Sequence, residues 1–280
     1  MVKNFPSILA IICIWTSWLS PLKAQPYELR PKYVKGQILT FSDEQTITVH
    51  SEQYAGVQQE MVMTYSYQQR IDEVYPDGSV DLTLTILSSE SESSEGEPRH
   101  MDYRHLIGQP LKVKLDQQLS VASVAPAADL SDQALDDLQR FKQFYLNASP
   151  ANYNPENAVN VGDSWQNDTT VSFEIGGMVM DQIQKQTSKL EKVADHRGQP
   201  ALEISFVGEL EGTIGQGMGG SVSGSFSGKR IVAKETGQEV SMELTAEQNM
   251  ERMTERGDIN FTIQVRHVHK LINEESSSVR

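Results

Sequence analysis

Two methionine pairs are the first residues whose type and spacing invite chemistry. Met61 and Met63 stand two apart, as do Met178 and Met180. Residues two apart in a strand share one face, and paired thioethers on one face suit a soft ion such as Cu(I). Methionine is also an adaptable apolar filler, suited to lining a cavity that takes varied guests. The second use is the more general one, and it is the one expected for this chain. His267 and His269 are also two apart and are types that ligate divalent metals. His100 and His105 flank Asp102 in polar surroundings and read as surface residues. Neither a metal nor another cofactor is assigned.

Other patterns match an active-site motif only in letters. Gly215-Gln216-Gly217-Met218-Gly219-Gly220 spells the dinucleotide fingerprint, which works only between a strand and a helix whose N-terminus meets the pyrophosphate. The next residues, Ser221-Val222-Ser223-Gly224-Ser225-Phe226, alternate like a strand. The predicted role is therefore a Gly-rich strand where the sheet bends or another element packs close. Gly228-Lys229 is followed by Arg230 rather than Ser or Thr, so no P-loop is formed. Glu90, Glu92, Glu95 and Glu97 read as a solvated loop rather than as facing carboxylates across a sugar. Ser223-Gly224-Ser225 lacks the strand-to-helix turn of a serine nucleophile. These absences predict a protein that is not an enzyme.

The compartment follows from the N-terminus. Lys3 precedes an apolar run over 5–22, and Pro21-Leu22-Lys23-Ala24 supplies a small residue at a cleavage point. This is the form of an export signal, with cleavage expected after Ala24. Cys13 is the single cysteine of the chain and leaves with that segment. The remainder can make no disulfide and must rely on its core, which at this size buries about 70–75% of the unfolded surface. Loss of Lys3 and Lys23 leaves 22 basic and 38 acidic residues, 22 − 38 = −16. Nucleic acid and anionic lipid surfaces need clustered Lys and Arg and are disfavoured as partners. No other segment is long and apolar enough to span a membrane. The expected location is the bacterial cell envelope, periplasmic or extracellular.

The elements that would carry these residues are mostly strands. Val80-Asp81-Leu82-Thr83-Leu84-Thr85-Ile86, Ala201-Leu202-Glu203-Ile204-Ser205-Phe206-Val207 and Val240-Ser241-Met242-Glu243-Leu244-Thr245-Ala246 alternate with period two, as does Phe261-Thr262-Ile263-Gln264-Val265. Pro76-Asp77-Gly78, His196-Arg197-Gly198 and Glu235-Thr236-Gly237 supply hairpin turns. Over 129–146 the spacing changes. Leu130, Ala134, Leu135, Leu138, Phe141, Phe144 and Tyr145 recur at three and four, one face of a helix, with Asp129 or Ser131 as its cap. Gly78 and Gly198 differ by 120 positions, as do Gly108 and Gly228. A duplicated meander is expected: a first β repeat over 25–125, helix and linker over 126–160, a second repeat over 161–272, and a disordered tail over 273–280. The acidic, Ser-rich stretch 88–98 reads as a surface loop. The fold class is mainly β, a duplicated antiparallel meander forming a curved, half-barrel-like sheet over one central amphipathic helix.

Val34-Lys35-Gly36-Gln37 and Val161-Gly162-Asp163-Ser164-Trp165 after the helix, with a late Gly-rich strand leading into Thr236-Gly237, resemble uncharacterised exported β-rich proteins of bacteria. The inferred layout is similar to the half-barrel carriers of envelope lipoproteins and lipids. That likeness implies an apolar cavity between sheet and helix, holding an apolar small molecule or a lipidated protein. Its expected lining is Met61, Met63, Leu138, Phe141, Phe144, Met178 and Met180. The alternatives are a structural or partner-docking protein with a filled core, and metal handling through the Met pairs.

Overall fold

The computed structural model describes residues 26–51, 57–94, 103–147, 152–175, 178–215, 219–252 and 259–275. The expected export signal lies outside them. The strands are β1 (Ile38–Ser51), β2 (Val57–Val74), β3 (Val80–Ser93), β4 (Pro110–Leu115) and β5 (Val121–Pro126). After helix α1 (Asp132–Asn147) come β6 (Ser164–Ile175), β7 (Met178–His196), β8 (Gln199–Ile214), β9 (Gly220–Ala233), β10 (Glu239–Arg252) and β11 (Ile259–Glu275). They form one sheet in the order β5-β4-β3-β2-β1-β11-β10-β9-β8-β7-β6. Every neighbouring pair is antiparallel. Among the described residues no helix is long and apolar enough to cross a membrane.

The order explains the shape. Each half of the chain is a meander, and the halves meet where β1 pairs with β11. β5 and β6 are the two edges, and the sheet does not close into a barrel. Helix α1 nevertheless touches both edge strands. The segment 26–36 shows how far the sheet curls. Arg30 donates to the Gln117 carbonyl in the β4–β5 turn, and its own carbonyl lies against Gly237 in the β9–β10 turn. In a flat sheet β4 and β10, five places apart, would be separated by about 24 Å at ~4.8 Å per strand. One arginine reaches both turns only because the sheet is strongly curved.

Curvature gives an inner and an outer face. The base of the inner face is filled twice. One cluster packs Ala134, Leu138 and Phe141 of α1 against β1–β5 side chains such as Leu39, Met63, Ile71 and Leu84. The other packs Leu29 of the N-terminal segment and Val159 onto Leu190, Leu202, Ile204 and Val232. Ser131 caps α1, its hydroxyl accepting from the Ala134 N–H at 3.3 Å.

Three elements differ from expectation. β3 runs to Ser93, so the front of the predicted acidic loop is strand, with Ser89 buried inside and Glu90 and Glu92 exposed outside. Serine hid the alternation because it counts as polar on either face. The glycines at 215–220 connect β8 to β9, with 216–218 outside the described residues. They are a turn rather than a bend within a strand, and they lead into β9 instead of the helix that a dinucleotide needs. β11 extends to Glu275, so Asn273, Glu274 and Glu275 of the expected tail pair with β1.

Candidate functional site

Cross-strand partners share a face, so the register maps the inner face in rows. The lowest row runs Tyr65, Asp43, His269, Met242, Arg230, Ile204, Leu190. The next runs Met63, Gln45, His267, Leu244, Gly228, Phe206, Ser188. Above it come Met61, Ile47, Val265, Ala246, Phe226, Gly208 and Gln186. The face is charged at its floor and apolar above it.

The floor centres on Asp43, 2% exposed. Its carboxylate lies 2.7 Å from His267 Nε2 and 3.1 Å from His269 Nδ1. Burial would push this carboxyl up, but the two imidazoles hold it below the usual aspartate range. Burial also works against the His269 imidazolium, and the Asp43 carboxylate more than offsets it, so the His269 pKa is raised. Phe41 stacks between Tyr67 at 5.3 Å and His269 at 4.9 Å. Next along the row, Arg230 donates to Glu239 at 2.7 Å and to Asn154 at 3.1 Å, with its guanidinium 4.3 Å above the Tyr153 ring. Glu239 Oε1 stands 4.0 Å from His269 Nε2. Asp43, Glu239, His267 and His269 line one cavity of about 100 Å³, together with Tyr33, Tyr67, Tyr145, Tyr153 and Met242. Burial and the neighbouring Glu239 raise the Tyr33 phenol to about 12, and burial raises Tyr67, Tyr145 and Tyr153 as well. The cavity therefore presents neutral rings beside ionised carboxylates.

Above the floor lies an apolar strip. Phe206, Leu210, Val222 and Phe226 form its buried part, with Met242, Leu244, Ala246 and Met250 packed alongside. All eight belong to β8, β9 and β10, and no described residue of α1 is among them. The rings lie flat across neighbouring glycines: Phe206 pairs with Gly228, and Phe226 with Gly208. A Cβ on Gly208 would collide with the Phe226 ring, and one on Gly228 with the Phe206 ring. These glycines leave room for the rings to lie against the backbone.

The expected lining residues divide. Met63, Leu138 and Phe141 come together in the cluster beneath α1, all 4% exposed or less. Met61 is half-buried on the same face as Met63. Met180 is 2% exposed on β7, several strands away from β2. The Met pairs are thus not neighbours along the sheet. The side chains of Phe144 and Met178 lie outside the described residues. Neither Leu138 nor Phe141 lines the small cavity, and Phe141 is completely buried. The helix face is packed core. Sequence reasoning noticed His267 and His269 but not Asp43, whose partners lie 224 and 226 residues away. The lone acid in the alternating stretch from Ile38 to Phe41 onward was the available signal. The outer face carries a groove of about 830 Å³ crossing β1 and β7–β11, lined by Thr46, Thr187, Ser227, Thr245 and similar polar residues.

No protein-family model and no curated protein matches the chain. Among solved structures it is similar to one described as "Lipid–protein interactions in lipovitellin", at 12% identity and a TM-score of 0.56, over 89% of this chain and 26% of that chain. The chain thus spans about a quarter of that protein, and the likeness is one of fold. An outer membrane channel from Pseudomonas putida F1 overlaps 86% of this chain and 97% of its own at 8% identity, TM-score 0.21. A LolA superfamily protein from Nitrosomonas europaea overlaps 84% of this chain and 86% of its own at 10% identity, TM-score 0.16. These last two overlaps are too poor in geometry to carry an argument.

Proposed function

We propose that this chain is a non-catalytic binding protein of the bacterial envelope that holds an apolar ligand, a lipid or the acyl group of a lipidated partner, on the inner face of β8–β10. The carrying observation is the apolar strip from Phe206 to Met250, built by three adjacent strands with no described residue of α1 in it. Apolar side chains gathered on one concave face favour an apolar guest. The lipovitellin structure shares the fold and is described by its lipid–protein interactions, which supports the same ligand class. The N-terminal apolar segment with its small residue at 24 supports the envelope location.

The expected site beneath Phe141 moves upward in this proposal, because α1 fills the space it covers. That filled core favours a second reading, a partner-docking protein with no ligand. Delipidated full chain, titrated with a fluorescent fatty acid, separates the two. Saturable binding that Leu244→Glu abolishes supports the ligand reading. Absence of binding, together with no lipid copurifying from the native envelope, leaves the docking reading in its place.

A further inference from the structure

We infer that the small cavity at the floor of the strip is a headgroup site, and that the ligand is a long-chain amphiphile with a compact ammonium head. This rests on the proposed apolar site and names its ligand class. Three observations lead to it.

The first is continuity. Met242 lines the cavity and also belongs to the strip. From Met242 to Met250, strand β10 rises about 26 Å at ~3.3 Å per residue, the scale of a long acyl chain. A molecule with its head at Asp43 would lay its tail along Leu244, Ala246 and Met250.

The second is size. A volume of about 100 Å³ corresponds to about three waters at ~30 Å³ each. It takes a head of a few heavy atoms and turns away a sugar.

The third is charge. Asp43 and Glu239 both line the cavity, and Tyr33, Tyr67, Tyr145 and Tyr153 complete much of its wall. Carboxylates and the negative faces of neutral rings attract an ammonium group. The guanidinium of Arg230 is engaged with Glu239, Asn154 and Tyr153, and Arg230 is not among the lining residues. An anionic head would meet two carboxylates without a lysine or arginine among the described residues of the wall. The competing cations are protons on His267 and His269, so ammonium binding strengthens as pH rises and the imidazoles lose their protons. The groups facing them are Asp43, Glu239, Tyr67 and Arg230, of which only Arg230 is cationic.

The test uses the full chain and displacement of one bound fluorescent fatty-acid probe, with all competitors below their micelle concentrations. Dodecyltrimethylammonium is expected to displace it at a concentration at least ten-fold below laurate or dodecyl maltoside at pH 8, and with a smaller advantage at pH 5.5. Glu239→Gln is expected to cut that advantage while leaving laurate unchanged or improved. Tyr33→Leu, which removes a ring and no carboxylate, is expected to cut it too and serves if Glu239→Gln does not fold. Equal displacement by cationic and anionic amphiphiles overturns the headgroup assignment and leaves the apolar site standing. Displacement by tetramethylammonium as effective as by its dodecyl derivative overturns it as well, since the chain would then contribute nothing. Failure of probe and amphiphiles alike to bind overturns the apolar site itself.

Discussion

Asp43 carries the strongest single-residue consequence in the molecule. A buried carboxylate is tolerated only when paired and hydrogen-bonded, and His267 and His269 supply the pairing from the far end of the chain. Removing one member of a buried pair costs about 3–5 kcal/mol, so Asp43→Ala is expected to lose stability on that order in urea unfolding at pH 6. The pH dependence follows from the two shifts. Asp43 has a lowered folded pKa, so its contribution is present above the unfolded value of about 3.9 and lost as pH falls through the folded one. His269 has a raised folded pKa, so its contribution is present below the unfolded value of about 6.5 and lost as pH rises through the folded one. Stability is expected to peak between these limbs, and His269→Ala is expected to flatten the alkaline limb alone. A His269→Ala profile parallel to wild type across neutral pH would contradict this assignment. None of it was legible in the sequence. Two histidines at strand spacing are visible there, but the acid they serve is set by a pairing that only the assembled sheet reveals.

At the scale of elements, the sequence was legible wherever one face is apolar and the other polar. The helix over 129–146 appears as α1 with Ser131 as cap, and the alternating stretch beginning at Val80 appears as β3. It was illegible where a small polar residue sits inside. Ser89 faces inward and accepts the Tyr103 N–H at 3.0 Å, which no pattern of apolar residues marks. Glycine was misread in a related way. The useful glycines are not the cluster at 215–220 but Gly208 and Gly228, where aromatic rings cross the backbone. Gly208→Ala is expected to cost about 1–3 kcal/mol, as overpacking does. Because the Phe226 ring is one of the groups displaced, the cost should shrink in a Phe226→Ala background. A double-mutant cycle by urea unfolding measures it, with a coupling of at least about 0.5 kcal/mol expected. Strict additivity would mean that ring and glycine do not share the space.

The whole molecule is a single curled sheet fastened at its base. The segment 26–36 is the fastener. Tyr27 bridges Val159, the Lys32 N–H donates to the Thr236 carbonyl at 2.7 Å, and Leu29 is 2% exposed. Leu29→Ala is expected to cost about 2–5 kcal/mol and to raise amide exchange in the β9–β10 turn near Thr236, measurable by hydrogen–deuterium exchange. Curvature at this scale could be anticipated from the need to cover an amphipathic helix. The meeting of β1 with β11 could not, because periodicity within a strand does not specify its neighbour. We also propose that β2–β5 and β7–β10 arose from one duplicated unit. The hairpins β2–β3 and β7–β8 turn on Gly78 and Gly198, both at positive φ.

The β1–β11 pairing also sets a clock on synthesis. Ile38 pairs with Glu275, so β1 is made early and waits for the last strand. At about 5–20 residues per second, that wait is on the order of 10–50 s. During it β1 can pair with β2 but has an open edge on its other side, a template for any passing strand. Asp43 is likewise without its histidines until the end. Such a chain gains from being kept unfolded until it is complete, or from a companion that covers β1 in the interval.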